Sequence, residues 1–131
     1  MLGQTEDSLT RRFVWNNYHR VRRPVRRLEA TDSWAYTTAT WRQANGTTSN
    51  QINVVVGLGE TTIDLAAMAI AENTGTAAII HTGSGEDSPV TPLATAFIAG
   101  QQISQANTPY RSSMQASRVV PLGYHFYAWL E

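Results

Sequence analysis

Histidines, carboxylates and arginines are the groups in this chain that could transfer protons, hold metals or bind anions. The three histidines, His19, His81 and His125, stand far apart, with no partner at metal-ligand spacing and no carboxylate cluster beside them. That pattern predicts histidines on strand faces or in solvent. Serines are frequent, yet no Gly-x-Ser-x-Gly elbow occurs to present a nucleophile. The run Gly83-Ser84-Gly85-Glu86-Asp87 resembles a phosphate or calcium loop only loosely. It lacks the Lys-Ser/Thr of the first and the repeated oxygen ligands of the second. The carboxylate pairs Glu6-Asp7 and Glu86-Asp87 fall in segments expected to be an N-terminal arm and a surface loop. Neither expectation supplies the geometry that glycoside hydrolysis needs. The reading is therefore a non-enzyme, with no catalytic residues, no metal ligands and no cofactor.

Arginine carries the strongest electrostatic signal. All ten basic residues are arginine, and seven of them, Arg11, Arg12, Arg20, Arg22, Arg23, Arg26 and Arg27, lie in one short segment. The rest of the chain holds three arginines and all ten acids, so a net charge of zero hides a basic end. Phe13, Trp15 and Tyr18 are interleaved with the cluster. Arginine with aromatic neighbours suits nucleic acid, where rings stack on bases. It also suits a protein interface, where guanidinium groups fork onto carboxylates. The absence of lysine favours the interface, because phosphate binders commonly mix the two cations. The residues expected to bind a partner are Arg11, Arg12, Arg20, Arg22, Arg23, Arg26, Arg27, Trp15 and Tyr18. A solvated basic edge that blocks aggregation is the plainer alternative.

The elements that must carry these groups read as β. Residues 1–10 are polar, and Pro24 argues against one continuous helix through the arginines. Trp34–Arg42 and Gln51–Leu58 read as two strands joined by Asn45-Gly46-Thr47-Thr48-Ser49-Asn50, residues that tolerate or bond a left-handed backbone. Trp34 and Trp41, seven apart, would face opposite sides of the first strand, one to the core and one outward. Thr61–Ala71 is rich in alanine, which favours helix, but turn residues flank it at strand spacing. It is expected to be a strand. So are Ala77–His81 and Leu93–Ala99, with Thr82–Pro89 a loop between them and Gln101–Ser113 undecided. Val119–Leu130 alternates with both faces apolar, as a central strand would. The aromatic set Trp34, Tyr36, Trp41, Tyr124, Phe126, Tyr127 and Trp129 reads mainly as packing, with a glycan-binding groove as the competing use.

Seven to eight short strands at this spacing predict an all-β fold, a single-domain β-sandwich or jelly roll with an extended N-terminal arm. The expected division is an arm at 1–28 and a domain at 29–131. At 131 residues, a domain buries roughly 65–70% of its unfolded surface, enough for a core without staples. There is no cysteine, so disulfides and thiol chemistry are excluded. No signal peptide is expected from the acidic start of the chain, and no apolar run approaches the ~20 residues of a membrane span.

Three segments resemble a domain of structural proteins from tailed bacteriophages: Trp15–Arg23, Glu29–Gly46 and Pro121–Glu131. The middle one, with its two tryptophans and its Arg42-Gln43-Ala44-Asn45-Gly46 turn, is the most specific. The chain departs from the pattern at 80–90, where polar His-Thr-Gly-Ser-Gly-Glu replaces a more apolar strand. The resemblance implies a virion component assembled in the host bacterial cytoplasm, without catalytic residues. Its implied partners are other virion proteins on the capsid, tail or fibre and further copies of itself, a trimer before other numbers. A host-surface glycan binder and a nucleic-acid binder are the alternatives.

Overall fold

More buried and exposed side chains largely alternate along Gln51–Val56 and Thr62–Ala71, and both segments are strands, β1 and β2. Ile52, Val54 and Val56 turn inward from β1, and Ile63, Leu65 and Ala67 from β2. The alanines of β2 do not make it a helix, because all ten of its residues pair with a long partner strand. That cross-strand pairing outweighs a helix propensity of a few tenths of a kcal/mol per residue. The computed structural model describes residues 24–131 except 58, 60, 61, 76, 77, 100, 104 and 105, and leaves aside the side chains of 78, 97–99 and 101–103.

The remaining strands are β3 (Ala78–Ile80), β4 (Gly83–Glu86), β5 (Phe97–Ala99), β6 (Gln101–Ile103), β7 (Tyr110–Val119) and β8 (Gly123–Leu130). A single 3-10 turn, Ala44–Gly46, is the only helical element among the described residues. All pairings are antiparallel, in sheets ordered β1-β8-β4, β2-β7-β5 and β3-β6. The fold is all-β.

The last two strands are each the middle strand of a sheet. They meet at a corner, Val120-Pro121-Leu122, where the chain passes from one sheet to the other. Proline ends the ladder of β7, and Gly123, at φ +133°, adopts a backbone that other residues avoid. One cluster of buried side chains spans both sheets: Val56, Leu65, Met114, Ala116 and Tyr127, with Leu93 and Val120. The expected run Val119–Leu130 is therefore a strand only from Gly123, but it is central, as both of its apolar faces require.

Three expectations are corrected. Trp34–Arg42 is not a strand. Tyr36 donates its hydroxyl proton to the Thr40 carbonyl, closing a loop, and the ladder contact of this region is a lone bridge from Gln43 to Leu130. Trp34 and Trp41 are both half-buried rather than divided between core and surface.

Thr82–Pro89 is not all loop, since its centre is β4. Its glycines are there for close approach rather than for turning. A Cβ on Gly85 would lie 2.1 Å from the Ser88 carbonyl oxygen and 2.8 Å from that of Thr91. The chain after β4 folds back over the strand, and the Leu93 N–H bonds the Ser84 carbonyl at 2.8 Å. Leu93 thus belongs to that crossing, and the strand expected from it begins at Phe97.

Gly85→Ala should destabilise by more than about 3 kcal/mol, because backbone rather than a flexible side chain blocks the new methyl group. Gly57→Ala, with nothing within 4 Å of the added carbon, should change stability by less than about 0.5 kcal/mol. Urea unfolding of the two variants measures both.

Candidate functional site

Of the nine residues expected to bind a partner, Arg26 and Arg27 are described, and both are exposed. Arg11, Arg12, Trp15, Tyr18, Arg20, Arg22 and Arg23 lie outside the described residues. Arg27 is bonded into the fold. Its Nε donates to Asn50 Oδ1 at 3.2 Å and its Nη2 to Ser49 Oγ at 3.0 Å.

Asn50 is fully buried and organises that point of attachment. Its side-chain amide donates to the Ala44 carbonyl at 2.9 Å and to a Glu29 carboxylate oxygen. Glu29 Oε1 also accepts the N–H groups of Ala30 and Thr31, each at 2.9 Å. The Thr31 N–H, and then the Asn50 amide, hold the Glu29 carboxyl down at about 2. The Asn45-Gly46 turn adopts the predicted left-handed backbone, with φ of 55° and 60°.

A second tie closes on Glu131. One carboxylate oxygen accepts Arg42 Nε at 2.9 Å, Arg42 Nη2 at 2.8 Å and the Asn45 N–H at 3.1 Å. The other accepts the Trp34 indole N–H. The Arg42 guanidinium also lies 3.7 Å over the centre of the Tyr36 ring, and Trp34 meets Trp129 edge to face at 6.0 Å. Trp41 packs against Gly83 and His81. These aromatics hold the 34–43 segment onto β8 and β4.

The third cluster has the richest chemistry. Asp87, at a left-handed φ of 52°, follows β4 and accepts the Phe126 N–H on Oδ1 at 3.0 Å. Its Oδ2 lies 2.7 Å from His125 Nδ1, and His125 Nε2 lies 3.1 Å from the Pro121 carbonyl oxygen. Alongside, Glu86 accepts the Tyr127 hydroxyl at 3.2 Å and pairs with Arg118 at 2.5 Å. Burial, then the Glu86 charge, pushes the Tyr127 hydroxyl well up. The bond to Asp87 raises His125 against a smaller effect of burial. Burial pushes Asp87 upward, but the Phe126 N–H and His125 together outweigh it and hold it low.

A histidine–carboxylate pair is the core of many proton-transfer sites. Here the distal nitrogen is committed to a carbonyl rather than to a nucleophile or open solvent. Among the described residues no three His, Cys, Asp or Glu side chains are grouped to hold a metal, and no helix is long and apolar enough to cross a membrane. Sequence reasoning missed this cluster because its parts are separated by nearly forty positions. Only the β4–β8 register, which sets Glu86 opposite Tyr127, brings them together.

No protein-family model, curated protein or solved structure matches the chain.

Glu29 has a lowered folded-state pKa. Its contribution to stability is present above the ordinary value of 4.5 and is lost as pH falls toward about 2. Glu29→Gln should therefore flatten the acid limb of stability in that window, read as the urea midpoint against pH. Glu131→Ala leaves Arg42, the Asn45 N–H and the Trp34 indole without their acceptor. It should cost about 3 kcal/mol in urea unfolding.

Proposed function

We propose that this chain is a non-enzymatic structural protein of a bacteriophage particle, a β-sandwich or jelly roll docked on the capsid or tail through its arginine-rich N-terminal segment. The observation that carries the reading is the division of the arginines. Arg27 is spent on Ser49 and Asn50, anchoring the basic segment to the domain. Arg26, next to it, is exposed, and five further arginines precede it in the sequence. Guanidinium groups without lysine suit carboxylate-bearing protein surfaces. The likeness of three segments to tailed-phage structural proteins supports the virion setting, with the protein assembled as a homo-oligomer, a trimer before other numbers. The commitment of both His125 nitrogens to structural acceptors supports a non-catalytic role.

The test replaces Arg11, Arg12, Arg20, Arg22, Arg23 and Arg26 with alanine and keeps Arg27. The variant should melt like the wild type yet be missing from gradient-purified particles that contain the wild-type protein. Unfolding of the variant would show that the cluster serves the fold, and its normal incorporation would remove the docking role. Wild-type protein that never enters particles, and carries nucleic acid released by about 0.5 M salt, would replace this reading with nucleic-acid binding.

A further inference from the structure

Both ring nitrogens of His125 face atoms that can only accept. Nδ1 meets a carboxylate oxygen of Asp87 at 2.7 Å, and Nε2 meets the Pro121 carbonyl oxygen at 3.1 Å. A neutral imidazole has one N–H and can satisfy one of them; imidazolium satisfies both. The two acceptors belong to different parts of the fold. Asp87 is locked to β8 through Phe126, donating its own N–H to the Phe126 carbonyl and accepting the Phe126 N–H. Pro121 lies in the corner between β7 and β8.

We propose that His125 is a protonation-dependent latch on this corner, closed as imidazolium and released on the Pro121 side as neutral imidazole, a property that goes beyond the docking role. On deprotonation the remaining N–H stays with the carboxylate, the stronger acceptor. The Nε2 lone pair then faces the carbonyl oxygen, and the corner carbonyl must turn to water.

The surrounding charges are arranged for such a switch. Asp87 and Glu86, at the end of β4, both favour the cation. Arg118, from β7, would oppose it but is paired with Glu86. The Tyr127 hydroxyl, bonded to Glu86, stays neutral because its pKa is raised. The third neighbouring strand, β1, is Gln-Ile-Asn-Val-Val-Val and brings no titratable group. The sign follows from the raised pKa of His125. The latch is fully closed below the ordinary value of 6.5 and opens as pH rises through the higher folded-state value. Opening moves a corner that carries exposed Leu122 and is flanked by exposed Val119 and Tyr124. A pH change would thus alter an apolar surface without unfolding the sheets.

The full chain is tested by following the His125 ring in an NMR titration from about pH 5 to about pH 9, while amide exchange is read at Val120, Leu122 and Gly123. After correction for intrinsic rates, corner protection should fall about tenfold for each unit by which the His125 pKa exceeds its ordinary value. The fall should share the midpoint of the ring. Protection that does not change through the His125 titration overturns the latch, whatever any variant does.

Asp87→Asn sharpens the test. Its amide N–H can donate to Nδ1, so a neutral ring keeps its proton on Nε2 and still bonds Pro121. The corner should then stay protected across the range. A variant that folds and still loses protection with the wild-type midpoint would also overturn the proposal.

Discussion

β7 is the middle strand of one sheet and β8 the middle strand of another, so neither sheet can close until these last two strands are in place. β1, β2 and β4 wait on contacts of long sequence separation. β1 pairs with residues 67 to 77 positions later, and β2 with residues 39 to 57 positions later. Such pairing must bear its loop-closure entropy before it is rewarded, which makes folding slow and cooperative. The buried residues reflect this dependence. Met114 and Ala116 from β7, Tyr127 from β8 and Val120 between them form much of the shared core. The corner that joins the strands is correspondingly constrained, by proline, by a glycine at positive φ and by the His125 bond to Pro121.

Around that frame, polar ties together with the packing of Trp34 and Trp41 fix the segment that precedes β1. Glu131, beyond the end of β8, gathers Arg42, Asn45 and Trp34, while Asn50 gathers Ala44, Glu29 and Arg27. Each tie satisfies groups that would be costly to leave without partners in a partly buried setting. Together they place the last arginines of the basic segment at one point on the domain. That placement links the fold to the proposed role: Arg27 is bonded to the domain and Arg26 beside it is exposed. The His125 latch sits apart from these ties, at the β7–β8 corner, so a change there need not disturb the attachment of Arg27.

β1 was legible from its β-branched run and β2 from the turn residues that flank it; in both, alternate side chains pack on the core while Val55, Met68 and Ile70 face outward. The centrality of β8 was legible too, since both of its faces are apolar and only a strand covered on both sides uses them. β4 was hidden because glycine is the residue of turns as well as of close approach; only the carbonyls of Ser88 and Thr91 above Gly85 decide between the two. Trp34–Arg42 had the composition of a strand, but its rings and guanidinium pack locally, and the Tyr36 hydroxyl closes a loop that no periodicity announces. The His125–Asp87 pair was beyond reach for a different reason: it is a product of strand register, which composition does not encode. Arginine clustering was plain in the chain, whereas the anchoring of Arg27 to Ser49 and Asn50 depends on the buried position of Asn50.

β7 and β8 together hold the two sheets. Residue-resolved amide exchange across a series of low urea concentrations tests this most directly, since it separates local opening from global unfolding. Amides of β7 and β8 should exchange only through global unfolding, with β1 and β2 losing protection no later than they do. Exchange of β8 by local opening, while β2 and β7 remain protected, would contradict this.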